Sequence, residues 1–304
     1  MPAPGVGAGV TTLRRFGIGG LFCVAGLVAA AGPSGAAAQG LPAGAAPDPH
    51  HASELGHDRA APHGAHPHFT HPLVTESPLP EDQIRFDVAY TRASAPGGGR
   101  ASQAYAQASV EVALTPSLGL EVAVPYVWAD VEGGAGSDGI GNVELAVKAA
   151  DYRFGASGVL LATGLELSLP TGDDAAGTGT DREIGLEPYV GFGYSRHGFE
   201  MIGLLRFGVP VHERPADASE VDLELAADLS LLYHLTPHVA AMVELNGAAV
   251  VAGESDDTLL TINPGVSFAP AADGRVRVGV GFGVPVTDDA DFDYEARTMV
   301  VIHL

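Results

Sequence analysis

Apolar and polar residues alternate along most of the chain, and one stretch shows the pattern in its simplest form. In VDLELAADLSLLY, residues 221–233, one parity is apolar throughout, whereas the other carries Asp222, Glu224 and Asp228. Successive side chains of a β-strand point to opposite faces of a sheet, so the stretch predicts a strand with one apolar and one acidic face. A half-buried strand of a soluble protein would show the same local pattern.

The alternation recurs as far as the last residue of the chain. Twelve segments carry it: 84–90, 108–114, 118–128, 143–147, 159–169, 184–194, 199–209, 221–233, 239–245, 260–268, 276–284 and 294–304. In a soluble sandwich the edge strands would break the pattern, whereas a closed transmembrane barrel has no edges and explains the whole run. The predicted fold is therefore all-β: an antiparallel transmembrane β-barrel of about twelve strands over residues 84–304.

The connections between these segments alternate in length. The short ones contain Pro or Gly (LTPS, FGASG, SRHG, LTPH and PAADG), and longer ones such as TGDDAAGTGTDRE lie between them. Outer-membrane barrels have short periplasmic turns and longer extracellular loops. The alternation therefore predicts a location in the outer membrane of a Gram-negative bacterium, with the segment before the barrel in the periplasm.

The N-terminus has the features of a secretory signal peptide over residues 1–38. Arg14 and Arg15 precede the apolar stretch FGIGGLFCVAGLVAAA, and small residues lead to a cleavage position after Ala38. A membrane anchor is the alternative, but a spanning helix needs about 20 apolar residues. Cys23 is the single cysteine and lies in this segment, so the mature chain is predicted to have no thiol and no disulfide.

Residues 39–83 are rich in Ala, Pro, Gly and His and show no sustained apolar period, which predicts a disordered periplasmic tail. Imidazole is a common ligand of Zn, Cu and Ni. The candidate metal ligands are the seven histidines of this tail: His50, His51, His57, His63, His66, His68 and His71. Their loose spacing leaves an inert or pH-responsive tail as the alternative. The tail is also long enough to enter the barrel lumen as a plug.

Composition narrows the range of partners. The formal charge of −22 and the presence of a single lysine, Lys148, argue against nucleic acid, whose phosphates require a basic surface. The expected partners are outer-membrane lipid and lipopolysaccharide, a small-molecule solute and the barrel-assembly machinery.

Five motifs resemble those of one family. They are HPLVTESPLPE (71–81), VPYVW (124–128), GIGNVELAVKAADYRF (139–154), LELSLPTGD (165–173) and GLEPYVGFGYSRHGFEMIG (185–203). They are similar to outer-membrane proteins assigned to transport in the phenol meta-cleavage (MetA) pathway. The resemblance implies a barrel loosely related to fatty-acid channels, for small, often hydrophobic or aromatic compounds. Many outer-membrane barrels end in Phe, whereas this chain ends in Leu304, which predicts weaker recognition by the assembly machinery.

The inward-facing parity carries ionisable residues on neighbouring segments. Those predicted to line the solute path are Glu166, Glu187, Glu200, Arg206, Asp222, Glu224, Asp228, Glu244, Arg275 and Arg277. Opposed acidic and basic walls would set a field across a constriction and favour cations or polarised solutes. The alternative is a packed interior of ion pairs, because twelve strands leave a narrow lumen.

Four prolines recur near the predicted outer ends of strands: Pro125, Pro170, Pro210 and Pro285. Proline has no N–H for the sheet ladder, so these residues are expected to end strands. The alternative is a local weakness of the wall, through which a hydrophobic solute leaves sideways into the membrane.

The sequence contains neither GxSxG nor HExxH, and no enzyme is expected. The predicted function is a passive outer-membrane channel for uptake or efflux of small molecules, with no cofactor unless the tail holds Zn, Cu or Ni. The alternative is a metal-binding or structural outer-membrane protein whose His-rich tail captures a transition metal.

Overall fold

The computed structural model describes residues 69–94, 99–132, 136–151, 159–211, 221–253, 258–271, 273–288, 290 and 292–304. The predicted signal peptide, and the predicted tail as far as residue 68, lie outside these ranges. No helix in the described part of the chain is long and apolar enough to cross a membrane.

The described residues form thirteen strands. They are β1 (Gln83–Ser94), β2 (Arg100–Thr115), β3 (Leu118–Val131), β4 (Ser137–Ile140), β5 (Glu144–Asp151), β6 (Val159–Ser168), β7 (Gly185–Arg196), β8 (Phe199–Pro210), β9 (Val221–Thr236), β10 (Val239–Gly253), β11 (Thr258–Phe268), β12 (Val276–Pro285) and β13 (Tyr294–His303). Strands pair antiparallel in chain order, and β1 pairs with β13, which closes the sheet. β4 and β5 pair with opposite ends of β3 and together form one wall strand. The structure therefore confirms a closed twelve-stranded barrel.

The two faces of the wall differ as the alternation predicts. On β2, Val110 and Val112 are 45% and 46% exposed, whereas Glu111 between them is 1% exposed. The apolar side chains point out of the barrel and the carboxylate points into it. A soluble protein would bury the apolar side chains instead, so the outer face is suited to lipid.

The wall strand formed by β4 and β5 is interrupted at residues 141–143, opposite Pro125 of β3. The Pro125 carbonyl accepts a hydrogen bond from the Gly141 N–H at 3.0 Å. The loop after β6 fills the gap, because Thr171 Oγ1 donates to the Gly141 carbonyl and accepts from the Val143 N–H, both at 2.8 Å. The loop therefore supplies the hydrogen bonds that the interrupted strand lacks.

The other three prolines lie at or beyond strand ends. Pro210 and Pro285 are the last residues of β8 and β12, and Pro170 follows the end of β6. These positions agree with the expectation that proline ends a strand because it cannot donate to the ladder, whereas the expectation was wrong for Pro125, which lies inside β3. Sideways exit of a solute near them stays a prediction.

Residues 69–82 precede β1 and lie inside the barrel; we call them the plug segment. Phe69, Leu73 and Leu79 are at most 4% exposed. They pack in one apolar cluster with inward-facing residues of the wall, among them Leu160, Ile202, Leu232, Met242, Met299 and Val301. The plug segment therefore differs from the predicted disordered tail and corresponds to the lumenal plug considered beside it. Its apolar residues follow no strand or helix period because it pairs with no ladder.

The barrel has two distinguishable ends. Short turns join β2 to β3, β7 to β8 and β9 to β10 at one end, which we call the turn end, and the longer connections lie at the other, the loop end. The plug segment begins and finishes at the turn end, because Phe69 packs beneath Gly193 of β7 and Asp82 accepts the N–H of Leu304 at 3.0 Å. The segment is therefore an excursion into the lumen from the turn end.

Candidate functional site

Glu244 of β10 is the main attachment point of the plug segment. It is fully buried, and its carboxylate accepts the backbone N–H groups of Leu73 at 2.6 Å, Val74 at 3.1 Å and Thr75 at 2.8 Å. The Ser230 hydroxyl donates to the same carboxylate at 2.9 Å. Hydrogen bonds to an ionised acceptor are stronger than neutral ones, and a buried carboxylate needs them to offset its desolvation. Glu244 and these three N–H groups therefore satisfy one another.

Two further wall carboxylates accept N–H groups near the ends of the plug segment. Glu200 of β8 accepts the Thr70 N–H at 2.7 Å, and its other oxygen lies 2.9 Å from His234 Nε2. Glu111 of β2 accepts the Glu81 N–H at 3.2 Å. The segment is thus held by acidic side chains of three different strands.

Lys148 of β5 joins the plug segment to the wall through charge. Its Nζ lies 2.8 Å from Glu121 and 3.1 Å from Glu111, both on the wall, and 3.2 Å from Glu76 of the plug segment. Burial alone would raise the pKa of Glu76, but Lys148 and then Arg206 hold that pKa below its ordinary value. The only lysine of the chain therefore bridges three carboxylates.

A second set of linked polar and charged side chains extends over strands β7 to β11 on the inner face of the wall. Arg206 pairs with Asp228, and its Nη1 lies 3.6 Å from Glu187. Asp228 accepts a hydrogen bond from Asn246 Nδ2 at 2.6 Å, and Asn246 Oδ1 accepts one from Asn263 Nδ2 at 2.7 Å. Adjacent inward positions are thus linked side chain to side chain across five strands.

The structure places most of the predicted path residues in the lumen. Six are buried on the inner face: Glu187, Glu200, Glu224, Asp228, Glu244 and Arg277. Glu166 and Arg206 are half-buried there, and Glu166 is the register partner of Glu187. Asp222 lies in β9, but its side chain is outside the described part of the structure.

Arg275 is not part of the lumen wall. It is exposed and lies in the turn before β12, where its backbone N–H donates to Asp273 Oδ1 at 3.2 Å. The prediction was wrong because Arg275 is exposed at the turn end, although its backbone carbonyl still accepts the N–H of His303 at 2.8 Å.

The predicted metal ligands divide into two groups. Six lie outside the described residues, and they stay a prediction: His50, His51, His57, His63, His66 and His68. The seventh, His71, belongs to the plug segment and is 1% exposed inside the barrel.

The sequence did contain a sign of the plug segment. The inward positions of β12 are glycines in VGVGFGV, and β11 contributes Gly265. A Cβ at Gly265, Gly279 or Gly281 would come within 2.3 to 2.8 Å of the Leu73 side chain. Glycine at these positions makes room for Leu73, so inward glycines in a narrow barrel indicate that something occupies the lumen.

The interior has more acidic than basic groups in the part of the chain that the structure describes. The buried carboxylates are Glu81, Asp87, Glu111, Glu121, Glu144, Glu187, Glu200, Glu224, Asp228, Glu244 and Glu295. The buried or half-buried cations of the inner face are Arg85, Lys148, Arg206, Arg277 and Arg297.

Solved structures of outer-membrane proteins are similar to this barrel. The crystal structure of an outer-membrane channel from Pseudomonas putida F1 has a TM-score of 0.56 and 14% identity, and the similarity covers 74% of this chain and 97% of that chain. The KdgM porin in complex with disordered oligogalacturonate has a TM-score of 0.47, 13% identity and coverages of 73% and 99%. The translocator domain of the autotransporter NalP from Neisseria meningitidis has a TM-score of 0.47, 10% identity and coverages of 73% and 89%.

The first of these similarities shows that the closed barrel has the fold of an outer-membrane channel. A search of curated proteins gives no match to this sequence. Residues 93–296, well over half of the chain, match the family described as "Putative MetA-pathway of phenol degradation", and the chain therefore belongs to that family.

Proposed function

We propose that the protein is an outer-membrane channel for small molecules and that the plug segment closes it at rest. One observation carries the proposal: a closed wall with an apolar outer face surrounds a lumen lined by ionisable side chains, and a separate segment of the chain occupies that lumen. The apolar outer face supports contact with membrane lipid. Short turns are periplasmic in such barrels, which supports a periplasmic origin for the plug segment.

The attachments of the plug segment allow it to leave without damage to the wall. Backbone N–H groups of the segment donate hydrogen bonds to the carboxylates of Glu244, Glu200 and Glu111. None of these hydrogen bonds belongs to the sheet ladder. Water can hydrate both the released N–H groups and the carboxylates, so the net free-energy cost is far smaller than that of opening the sheet. Displacement of the segment would therefore open the lumen and leave the barrel closed on itself.

The inner surface that the plug segment covers indicates which class of solute the channel would carry. Removal of Phe69, Leu73 and Leu79 would uncover an apolar patch that includes Ile202 and Met242. An aromatic ring could pack there, because thioether and aliphatic groups make favourable contacts with aromatic faces. The acidic lumen disfavours anions. We therefore propose small neutral or cationic compounds, aromatic ones included, as the solutes of passive transport, which requires no catalytic step.

The test is single-channel conductance in planar bilayers of three refolded chains: residues 39–304, residues 69–304 and residues 83–304. We expect the first two to show the same small or rare conductance steps, because both keep the plug segment. The third should show larger and more frequent steps. A folded third chain that conducts no better than the first two would contradict the proposal.

The same three chains address the predicted metal-capturing tail. Loss of a metal-dependent phenotype in the chain of residues 69–304, with unchanged conductance, would support a separate role for the tail histidines. That role stays a prediction, as do binding of lipopolysaccharide and recognition by the assembly machinery.

A further inference from the structure

We propose that His71, Glu81 and His303 form a binding site for a divalent transition-metal ion at the turn end of the barrel. His71 and Glu81 come from the two ends of the plug segment, and His303 is the last residue of β13. One ligand atom from each residue, two imidazole nitrogens and one carboxylate oxygen, lies within 4.8 Å of the others.

The distances are close to those that a metal ion requires. Glu81 Oε2 lies 2.9 Å from His71 Nε2 and 3.9 Å from His303 Nδ1, and the two imidazole centroids are 5.1 Å apart. Tetrahedral zinc with bonds near 2.0–2.1 Å places its ligand atoms roughly 3.4 Å apart. The two distances from Glu81 lie on either side of that spacing, so side-chain rotations would bring the ligand atoms to it.

His71 is the residue that most needs such a partner. Its side chain is 1% exposed, and neither ring nitrogen makes a hydrogen bond within the described structure. The Glu81 oxygen is near the ring, but it is not aligned as a hydrogen-bond acceptor. Buried polar atoms in folded proteins are almost always partnered, and a metal ion bound to the imidazole lone pair would supply the missing interaction.

The surroundings define which ions would enter. The His303 side chain is 29% exposed, so the site is open to water at the turn end. Two imidazoles and one carboxylate, without a thiolate, suit Zn²⁺, Ni²⁺ or Cu²⁺ rather than Ca²⁺ or Mg²⁺. Arg277 is the neighbouring cation, and its charge interacts with those of Glu200 and Glu81.

The position of the ligands gives the site a consequence for the plug segment. A bound ion would tie residues 71 and 81 to each other and to the closing strand β13. Because binding stabilises only the state that holds all three ligands together, the metal ion would favour the closed lumen. The site uses only His71 of the seven tail histidines, is separate from the other six and does not depend on which solute is transported.

The test measures metal binding directly on the folded chain in detergent. The background is residues 39–304 with glutamine at the six tail histidines that the structure does not describe: His50, His51, His57, His63, His66 and His68. Co²⁺ is the probe, because tetrahedral Co²⁺ absorbs visible light, and Zn²⁺ is the competitor. We expect one Co²⁺ per chain and displacement by Zn²⁺. His71→Gln and His303→Gln should each weaken binding by at least roughly 100-fold.

His238→Gln is the matched control, because His238 lies in the turn between β9 and β10 and is not one of the three ligands. It should leave the binding unchanged. Heat-modifiable gel mobility verifies that each variant is folded. Absence of Co²⁺ binding in the folded background, or equal binding after His71→Gln and His303→Gln, would overturn the proposal. Either result leaves the conductance test of the channel unaffected, since no transport is measured here.

Discussion

The barrel wall and the plug segment satisfy their backbone N–H groups in different ways. In the wall, each strand bonds to the carbonyls of its neighbours, as in the continuous register of β1 with β2 from Gln83 to Ser94. In the plug segment, three consecutive N–H groups, those of Leu73, Val74 and Thr75, bond to one carboxylate, Glu244. The wall is therefore held together by backbone hydrogen bonds, whereas the plug segment is held in place by hydrogen bonds to single side chains.

The difference has a consequence for both stability and function. A side-chain substitution cannot remove a ladder of backbone bonds, but it can remove the acceptor of several plug N–H groups at once. The two regions should therefore respond differently to the same class of mutation. Variants that separate unfolding of the wall from release of the plug segment test this comparison.

The largest effect is expected at Lys148, whose charge interacts with carboxylates of both the wall and the plug segment. Lys148→Met would leave Glu111 and Glu121 buried without their cation, and we expect a loss of about 3–5 kcal/mol in the free energy of unfolding. Urea titration followed by the fluorescence of Trp128, the only tryptophan, measures it. Lys148→Arg, which keeps the charge, should lose less. A loss below about 1 kcal/mol, the range of an exposed pair, would contradict the shared role.

Glu244→Gln should affect the plug segment more than the wall. The amide oxygen still accepts a hydrogen bond but carries no charge, so docking should weaken by about 2 kcal/mol, or roughly 30-fold. Ser77 is 3% exposed, and residues 39–304 contain no cysteine, so the labelling rate of Ser77→Cys reports release.

Glu224→Gln is the control for that labelling experiment, because Glu224 is also buried but lies near the loop end of β9. It should leave the labelling rate of Ser77→Cys unchanged. Equal rates in the Glu244 and Glu224 variants would show that the carboxylate of Glu244 does not retain the plug segment.

A smaller effect is expected from crowding of the plug segment. The Cβ of Gly279→Ala would lie 2.8 Å from Leu73 and 3.0 Å from Met299. Both contacts are with flexible side-chain ends, so docking should weaken by about 1 kcal/mol, at the lower end for an overpacked core. The same labelling assay measures it. Gly247→Ala, whose Cβ meets nothing nearer than 3.5 Å, should behave as wild type.

The smallest effect is expected at an exposed ion pair that belongs to neither region. Arg182 lies 3.0 Å from Asp181 in the loop after β6, and both side chains are more than half exposed. Solvent and salt screen such a pair. Arg182→Gln should change neither the urea midpoint nor the labelling rate, and a clear change in either would mean that this loop is coupled to the lumen.

The wall was predictable because its pattern is local. Side chains on a strand alternate every residue, so Val110, Glu111 and Val112 show their two faces without any knowledge of the neighbouring strands. The fourth wall strand was predicted over residues 143–147, and the structure adds β4 and the gap opposite Pro125. Arg275 was wrongly assigned to the lumen, since periodicity does not locate the end of a strand.

The pairing inside the lumen was not predictable in the same way. Lys148 meets Glu111 and Glu121 only because β2, β3 and β5 are aligned in a particular register. Parity shows that all three point inward, but not that they lie at the same depth in the lumen. His71 was singled out for its residue type in a tail, whereas its contact with Glu81 and His303 follows from the way the plug segment returns to the turn end.

By itself, the sequence determined the strand alternation, the number of wall strands and the outward apolar face, because these depend on neighbours one and two residues apart. The tertiary structure decided that residues 69–82 are the segment that enters the lumen, because inward glycines indicate an occupant but do not identify it. Leu73 and its acceptor Glu244 are 171 residues apart, and a segment rich in proline and polar residues has no local period that reveals such a partner. The segment is ordered because carboxylates of distant strands accept its N–H groups and glycines of distant strands leave room for its side chains. These residues surround the segment only in the closed barrel.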